Sequence, residues 1–421
     1  MIKFSIPYLS VPNFIALNLR NNKPALLIVL FLLLSPFFDL ATGICIFRLG
    51  FSESFVGSPS QILRITFLFL SILLLKKKEF AVVYFLFLYL FTIEIISFLF
   101  SQTLGALLSG TNYFMKIVYI YIMYILAKRI GSNNEEFVPV LINIFLYSAC
   151  LYALGIIIPT MLGIGTSTYM TDGTFGQKGL YASGNALGIY LGTAVCIALL
   201  MKQKTKFDIL CIALLVIAII LLGTKTAFLF LLISFVYYLQ TKPRIIRMFI
   251  LLFVASVIFV YHEILFSILS SIYDVVIYRF KENDNFFNFI LSGRDNYVRE
   301  AFSEFFKSNF WEVKLILGGG AFMSFRSEYV SGMIFDTLEM DFFDVLFMYG
   351  LIGALLYLSV IIYLIISSYR ISRKLSFLFI FLFLHSFFAG HVFFDGLPVI
   401  AGVILYLMTK HINTVKSKFC I

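Results

Sequence analysis

Apolar residues in this chain fall in runs of about 15 to 24 positions, broken by short polar clusters. A helix needs ~20 apolar residues to cross the hydrocarbon core of a bilayer. The pattern predicts twelve membrane-spanning helices, at roughly 25–44, 60–75, 80–100, 112–127, 137–158, 183–201, 208–222, 226–240, 245–262, 343–366, 375–392 and 397–409. Lys3, Arg20 and Lys23 precede the first run, which ends without a small-residue cleavage site, so it is read as an uncleaved span. The predicted fold class is an all-α polytopic membrane protein.

Composition agrees. Of 421 residues, 61% are hydrophobic and 13% charged, against roughly half and a quarter in soluble domains. That excludes a water-soluble globular protein. The 32 Lys and Arg exceed the 22 Asp and Glu, an excess that would suggest nucleic acid in a soluble chain; here its distribution matters more. Twenty of the 32 basic residues fall in the two tails and in alternate connections, among them Lys76 to Lys78, Lys128, Arg129, Lys202, Lys204, Lys206, Lys242, Arg244, Arg247, Arg370, Arg373 and Lys374. By the positive-inside rule these lie in the cytoplasm, with both termini. The expected location is the bacterial inner membrane, with no nucleic-acid partner. Cys150, Cys196 and Cys211 sit inside apolar runs, so no disulfide or zinc framework is visible.

One connection breaks the pattern of short loops. Residues 263–342, between spans nine and ten, carry 7 basic and 12 acidic residues and predict a small domain outside the membrane. The expected organisation is 1–262 as helices one to nine, 263–342 as the large periplasmic loop, and 343–421 as helices ten to twelve with a cytoplasmic tail. Within the loop, Ile264, Ile268, Ile272 and Val276 have the spacing of an interfacial amphipathic helix. A second outer loop, 159–182, is long enough to fold over it.

Ionisable residues inside a bilayer cost roughly 2.5 to 3.5 kcal/mol each to insert, so they need partners or a wet cavity. Asp39, Arg64, Glu94, Lys116, His385 and His391 all lie toward the outer ends of their spans or at mid-span. Two readings stay open: Asp39 or Glu94 pairs with Arg64 or Lys116, or the residues line a polar cavity open to the outer face.

Candidate chemistry sits at the same face. Ser292-Gly293-Arg294-Asp295 has the form of a capping box, with a helix starting near Arg294 and an apolar stripe of Tyr297, Ala301, Phe302, Phe305 and Phe306. Arg294 in the first turn is suited to holding a phosphate. Arg299 is a further phosphate contact or the i+4 ion-pair partner of Asp295. Lys225, between two helix ends in Gly223-Thr224-Lys225-Thr226-Ala227, is a snorkelling lysine or a ligand for an anion at headgroup level. Glu339, Asp341 and Asp344 bring three carboxylates to the start of span ten. Such acids serve as a general base for a hydroxyl, bind a divalent cation, or favour a helix N-terminus. In a helix Asp341 and Asp344 share a face, whereas an extended chain pairs Glu339 with Asp341. Gly318 to Gly320 reads as a flexible turn, since no Walker-type Gly-Lys-Ser/Thr follows. No cofactor or dedicated metal site is expected.

These features, in this order, resemble the bacterial O-antigen polymerase and O-antigen ligase superfamily of membrane glycosyltransferases. The resemblance runs from about 172 to 366. It rests on Gly173-Thr174-Phe175 with Gly184-Asn185-Ala186, on Leu222 to Ala227, on Ser292-Gly293-Arg294, on Gly318 to Gly320, and on Tyr349-Gly350-Leu351-Ile352-Gly353. It implies a fold like the GT-C class and transfer of a glycan from undecaprenyl diphosphate to a sugar hydroxyl. It also implies diphosphate contacts at Lys225, Arg294 and Arg299, acceptor activation by Glu339 or Asp341, supporting roles for Asn185 and Asp344, and a chain-length-regulating co-polymerase as partner. Lysine stands at 225 where the family has arginine, and an ammonium cannot make the bidentate contact of a guanidinium.

Ligases of the superfamily usually carry a histidine shortly before span ten. Here that stretch reads Glu339-Met340-Asp341, while His262, His385, His391 and His411 lie outside the loop. That favours a polymerase over a ligase. A flippase or other transporter also has twelve spans, but is expected to lack an 80-residue outer domain and to carry charges through the depth of the bundle.

Overall fold

The computed structural model describes residues 22–51, 57–102, 104–133, 136–168, 176–200, 206–240, 242–260, 262, 294–323 and 337–419. The described residues are almost entirely helical. One antiparallel bridge, Ser167 with Gln177, is the exception to the helices. In chain order they are α1 Lys23–Leu49, α2 Pro59–Leu73, α3 Lys77–Ser101, α4 Leu104–Asn133, α5 Phe137–Met161, α6 Gly184–Leu200, α7 Lys206–Leu222, α8 Lys225–Gln240, α9 Arg244–Val260, α10 Arg294–Lys307, α11 Trp311–Leu317, α12 Gly320–Met323, α13 Asp341–Tyr369, α14 Arg373–Ala389 and α15 Gly396–Phe419. A helix occupies each of the twelve predicted apolar stretches. Four of these, α1, α3, α5 and α13, are long and apolar enough to cross a membrane. The stretch from Ile264 to Val276, the Ser292-Gly293 cap and Gly173 to Phe175 lie outside the described residues.

The chain forms two compact units. The first comprises the described parts of 32–61 and 143–289, the second those of 9–31, 62–142 and 290–421. In the first unit, glycines four apart on α6 let α8 approach closely, as small residues do between membrane helices. A Cβ on Gly192 would lie 2.5 Å from the Phe230 side chain, and one on Gly188 2.6 Å from Thr224 Oγ1. The connection before α6 folds inward. Leu180 carbonyl oxygen lies where a Cβ on Gly43 of α1 would be, and the Tyr181 hydroxyl packs on Gly155 of α5. Asp39 accepts the Tyr152 hydroxyl at 2.5 Å within this unit.

In the second unit, α3 is fastened at its start by Glu79, which accepts the Lys76 N–H at 2.8 Å. Arg129 of α4 pairs with the same carboxylate and donates to the Leu74 carbonyl at 2.6 Å. The apolar stripe of α10 is buried as its spacing predicts. Ala301 and Phe305 join Leu338 and Phe347 in one cluster, flanked by Tyr297, Val298, Phe302, Trp311, Leu315 and Phe343. Phe302 and Phe305 meet the Phe347 ring at centroid distances of 4.9 and 5.1 Å. This packing fixes α10 against the head of α13 and so aims its first residue, Arg294.

Helix α13 is not continuous. Tyr349 and Gly350 leave helical geometry, Gly350 at φ 63° and ψ −168°, so a short head beginning at Asp341 is set off from the longer body. A Cβ on Gly350 would come within 2.3 Å of the Ile316 carbonyl oxygen, and one on Gly318 within 2.3 Å of the Met348 carbonyl oxygen. Gly319 donates its N–H to the Phe347 carbonyl at 3.0 Å. The glycine turn expected to be flexible is therefore locked, because only backbone without Cβ fits against the kink.

Candidate active site

The site is built at the head of α13. Met340 is the extended residue before the helix, and Glu339, with φ +55°, stands just outside it. Arg294, the first residue of α10, donates Nε at 3.1 Å and Nη2 at 2.5 Å to Oε2 of Glu339. The pair is asymmetric in exposure: the Arg294 side chain is 12% exposed and that of Glu339 45%. The arginine is thus held by the fold, while the carboxylate is open to an incoming molecule. His391, in the connection between α14 and α15, approaches from the other side, with Nε2 3.8 Å from the same Oε2. His391 and Arg294 hold the Glu339 carboxyl down to about 2, against the upward push of burial. Burial pushes the His391 imidazole down, but Glu339, Asp341 and Asp395 more than offset it, leaving its pKa above the ordinary value.

Asp341 and Asp344 have different surroundings. Each is 1% exposed. Oδ2 of Asp341 accepts the Ser386 hydroxyl at 2.6 Å and the N–H groups of Val392 and Phe393 at 3.0 and 2.8 Å. Asp344 accepts the N–H groups of Leu338 and Met340 at 2.7 and 3.2 Å. Both sit in the first helical turn, where carboxylates offset the positive end of the dipole and satisfy free donors. They tie the segment carrying Glu339 and the segment carrying His391 to one helix end. Glu339 itself faces elsewhere, as the helical alternative requires.

Arg299 is exposed on α10, one turn past Asp295, and no ion pair joins the two. The other candidates belong to the first unit. Gly223 closes α7 at φ +67° and buried Thr224 caps α8, its Oγ1 accepting the Ala227 N–H at 3.3 Å. Two residues thus make the whole connection, and Lys225 opens α8 exposed, as its spacing predicts. Asn185 lies half-buried in the first turn of α6.

Residues 21–278, more than half of the chain, match the family described as O-antigen ligase like membrane protein. The chain belongs to that family. No curated protein matches it. Lys225 and Asn185 fall inside the matched residues of this O-antigen ligase-like protein, whereas Arg294, Glu339, Asp341 and Asp344 lie beyond them.

The buried charges of the O-antigen ligase-like chain find partners other than those weighed from sequence. Glu94 of α3 pairs with neither Arg64 nor Lys116. Its Oε1 accepts the Tyr349 hydroxyl at 2.8 Å, and the carboxylate takes the Ala321 N–H at 3.0 and 3.2 Å. It therefore caps α12 and fastens the kink of α13. Arg64 of α2 pairs with Asp395, Nη2 to Oδ1 3.5 Å, an acid just before α15. Lys116 of α4 lies over the Tyr113 ring at 4.8 Å, where Asp395, Arg64, Asp341 and Asp344 all act on it electrostatically. Arg64, Lys116, Arg294 and His391 thus lie within one charged region of the second unit. His391 is the residue that sequence order hid: it comes after the loop in the chain, yet stands beside Glu339. Beside the glycine turn, a cleft of about 540 Å³ runs between α3 and α11, lined by Tyr89, Ile93, Phe100, Phe310, Val313 and Leu317 among others.

Proposed function

We propose that this protein is an O-antigen polymerase, moving a growing glycan from undecaprenyl diphosphate onto a sugar hydroxyl of a lipid-linked repeat unit. The observation that carries the reading is the Arg294–Glu339 pair, a buried guanidinium and an open carboxylate on one helix end, in a chain of this family. Such a pair holds the two functions the transfer needs. Arg294 meets the charge that grows on the departing diphosphate. Glu339 orients or deprotonates the acceptor hydroxyl. Asp341 and Asp344 hold both segments in place. Lys225 is assigned a phosphate contact from its position in the family's hairpin motif, Asn185 a supporting role there, and Arg299 an auxiliary charge one turn past Arg294. The mostly apolar cleft between α3 and α11 suits a prenyl chain.

The reading includes twelve spans, a GT-C-like arrangement and both termini in the cytoplasm. The Arg294–Glu339 end then faces the periplasm, and 263–342 is the periplasmic loop. A co-polymerase that sets chain length is the expected partner.

Ligase is the second reading, and His391 beside Glu339 is the observation that favours it, because it supplies a histidine at the position where the loop sequence has none. Deleting the gene in a strain with a surface polysaccharide separates the readings. Loss of a polymerase leaves one repeat unit on the outer-membrane lipid. Loss of a ligase leaves none, and loss of a flippase traps units on the cytoplasmic leaflet.

A further inference from the structure

The connection between α14 and α15 is bound to the head of α13 on both sides of His391. On one side Gly390, at φ +62°, lies against Glu339, where an added Cβ would meet the carbonyl at 2.6 Å. On the other, the Val392 and Phe393 N–H groups end on Asp341. Between these anchors His391 adopts φ +61°, a left-handed conformation that few non-glycine residues take. The ring is aimed by a backbone fixed at both ends. Its Nε2 faces Oε2 of Glu339 at 3.8 Å and has no hydrogen-bond partner among the described residues. The side chain is 28% exposed, so a substrate hydroxyl can reach it.

We propose that His391 receives the proton of the acceptor hydroxyl, and that Glu339 is the positioning carboxylate that orients its ring and stabilises the imidazolium. This rests on the glycan-transfer reading above. The step balances. The acceptor O–H bond breaks and its proton goes to a ring nitrogen of His391. The oxygen forms a bond to the anomeric carbon, and the bond from that carbon to the diphosphate oxygen breaks, its electron pair leaving on the phosphate beside Arg294.

Basicity decides between the two groups. A carboxyl held down to about 2 is a weak base for a sugar hydroxyl, while an imidazole is matched to neutral pH. A carboxylate beside an imidazole is the arrangement that steadies the charge formed. The groups facing His391 are Glu339, Asp341 and Asp344 from α13, Asp395 from its own connection, His385 from α14 and Arg294 from α10. The carboxylates prevail, and the neutral, proton-accepting ring forms as pH rises through a value above 6.5. The rate therefore rises with pH through that value. Removing the charge of Glu339 lowers it.

The test uses the full chain in nanodiscs with lipid-linked repeat units extracted from a strain lacking the gene. Turnover and KM are measured against pH for wild type, His391→Gln, His391→Gly and Glu339→Gln. Glycine adopts φ +61° without strain, so His391→Gly is expected to fold. The expected result is a loss of roughly 100-fold or more in kcat for both His391 variants with KM for the lipid-linked unit within about threefold. Imidazole added to His391→Gly should restore part of the rate, and Glu339→Gln should move the rising limb to lower pH. A His391→Gln rate within threefold of wild type with an unchanged limb overturns the proposal. So does a His391→Gly variant that folds and is not rescued. If wild type transfers no glycan, the glycan-transfer reading fails first.

Discussion

The Tyr349 hydroxyl donates to Oε1 of Glu94 at 2.8 Å, across 255 positions of sequence. This contact joins the kink of α13 to α3, and with the Ala321 N–H it accounts for a carboxylate buried within an apolar helix. Glu94→Ala strips two buried donors of their acceptor. A buried donor left without its acceptor costs about 1–3 kcal/mol, so a fall of several degrees in thermal unfolding of the detergent-solubilised protein is expected. Tyr349→Phe removes one donor and leaves Ala321, so its fall should be smaller. Equal, negligible shifts would mean that Glu94 does not fasten the kink.

The glycine turn gives a sharper contrast. Gly350→Ala places a Cβ 2.3 Å from a carbonyl oxygen at a positive φ, where no flexible side chain can give way. Loss of folded protein in the membrane fraction is expected. Gly105→Ala is the control, since a Cβ there meets nothing within 4 Å and alanine favours a helix by about 0.5–1 kcal/mol. Fluorescence-detected size exclusion of the two variants checks this, and similar profiles would contradict a locked turn.

Stability should follow pH through Glu339. Its pKa is lowered in the folded protein, so its contribution is present above the ordinary carboxylate value and disappears as pH falls toward about 2. The side chain is partly open, and solvent screening limits the pair to about 1 kcal/mol or less. The unfolding temperatures of wild type and Glu339→Gln should differ by a constant amount from pH 7 to 5 and converge in acid. A difference that grows on acidification would reverse the sign.

Twelve helices, the stripe of α10 and the two-residue hairpin before Lys225 were legible because each is a local pattern of apolar spacing, glycine and capping residues. The partners of the charges were not. Glu94 meets Tyr349 and Arg64 meets Asp395 through tertiary packing that no periodicity encodes, so both assignments made from sequence proximity failed. Gly318 to Gly320 looked like a loose turn for the same reason: the backbone that excludes a Cβ there comes from Met348 and Gly350. His391 shows the cost of reading a site in chain order. The stretch before α13 lacks a histidine, yet the fold brings one to Glu339 from beyond α14.

Arg294 separates charge from geometry. Arg294→Ala should lower chain elongation about 10²- to 10³-fold, the scale for removing one preorganised donor. Arg294→Lys keeps a point charge but loses the paired donors and should fall between. Ladder patterns of surface polysaccharide at matched protein level read this out, and a wild-type ladder from Arg294→Ala would remove Arg294 from the site.

The most direct measurement is transfer by the purified protein, supplied only with undecaprenyl-diphosphate-linked repeat units. The account expects products that lengthen by whole repeat units while undecaprenyl diphosphate is released in equal number, and no such products from Arg294→Ala. Units recovered unchanged, or glycan hydrolysed to water without lengthening, would contradict it.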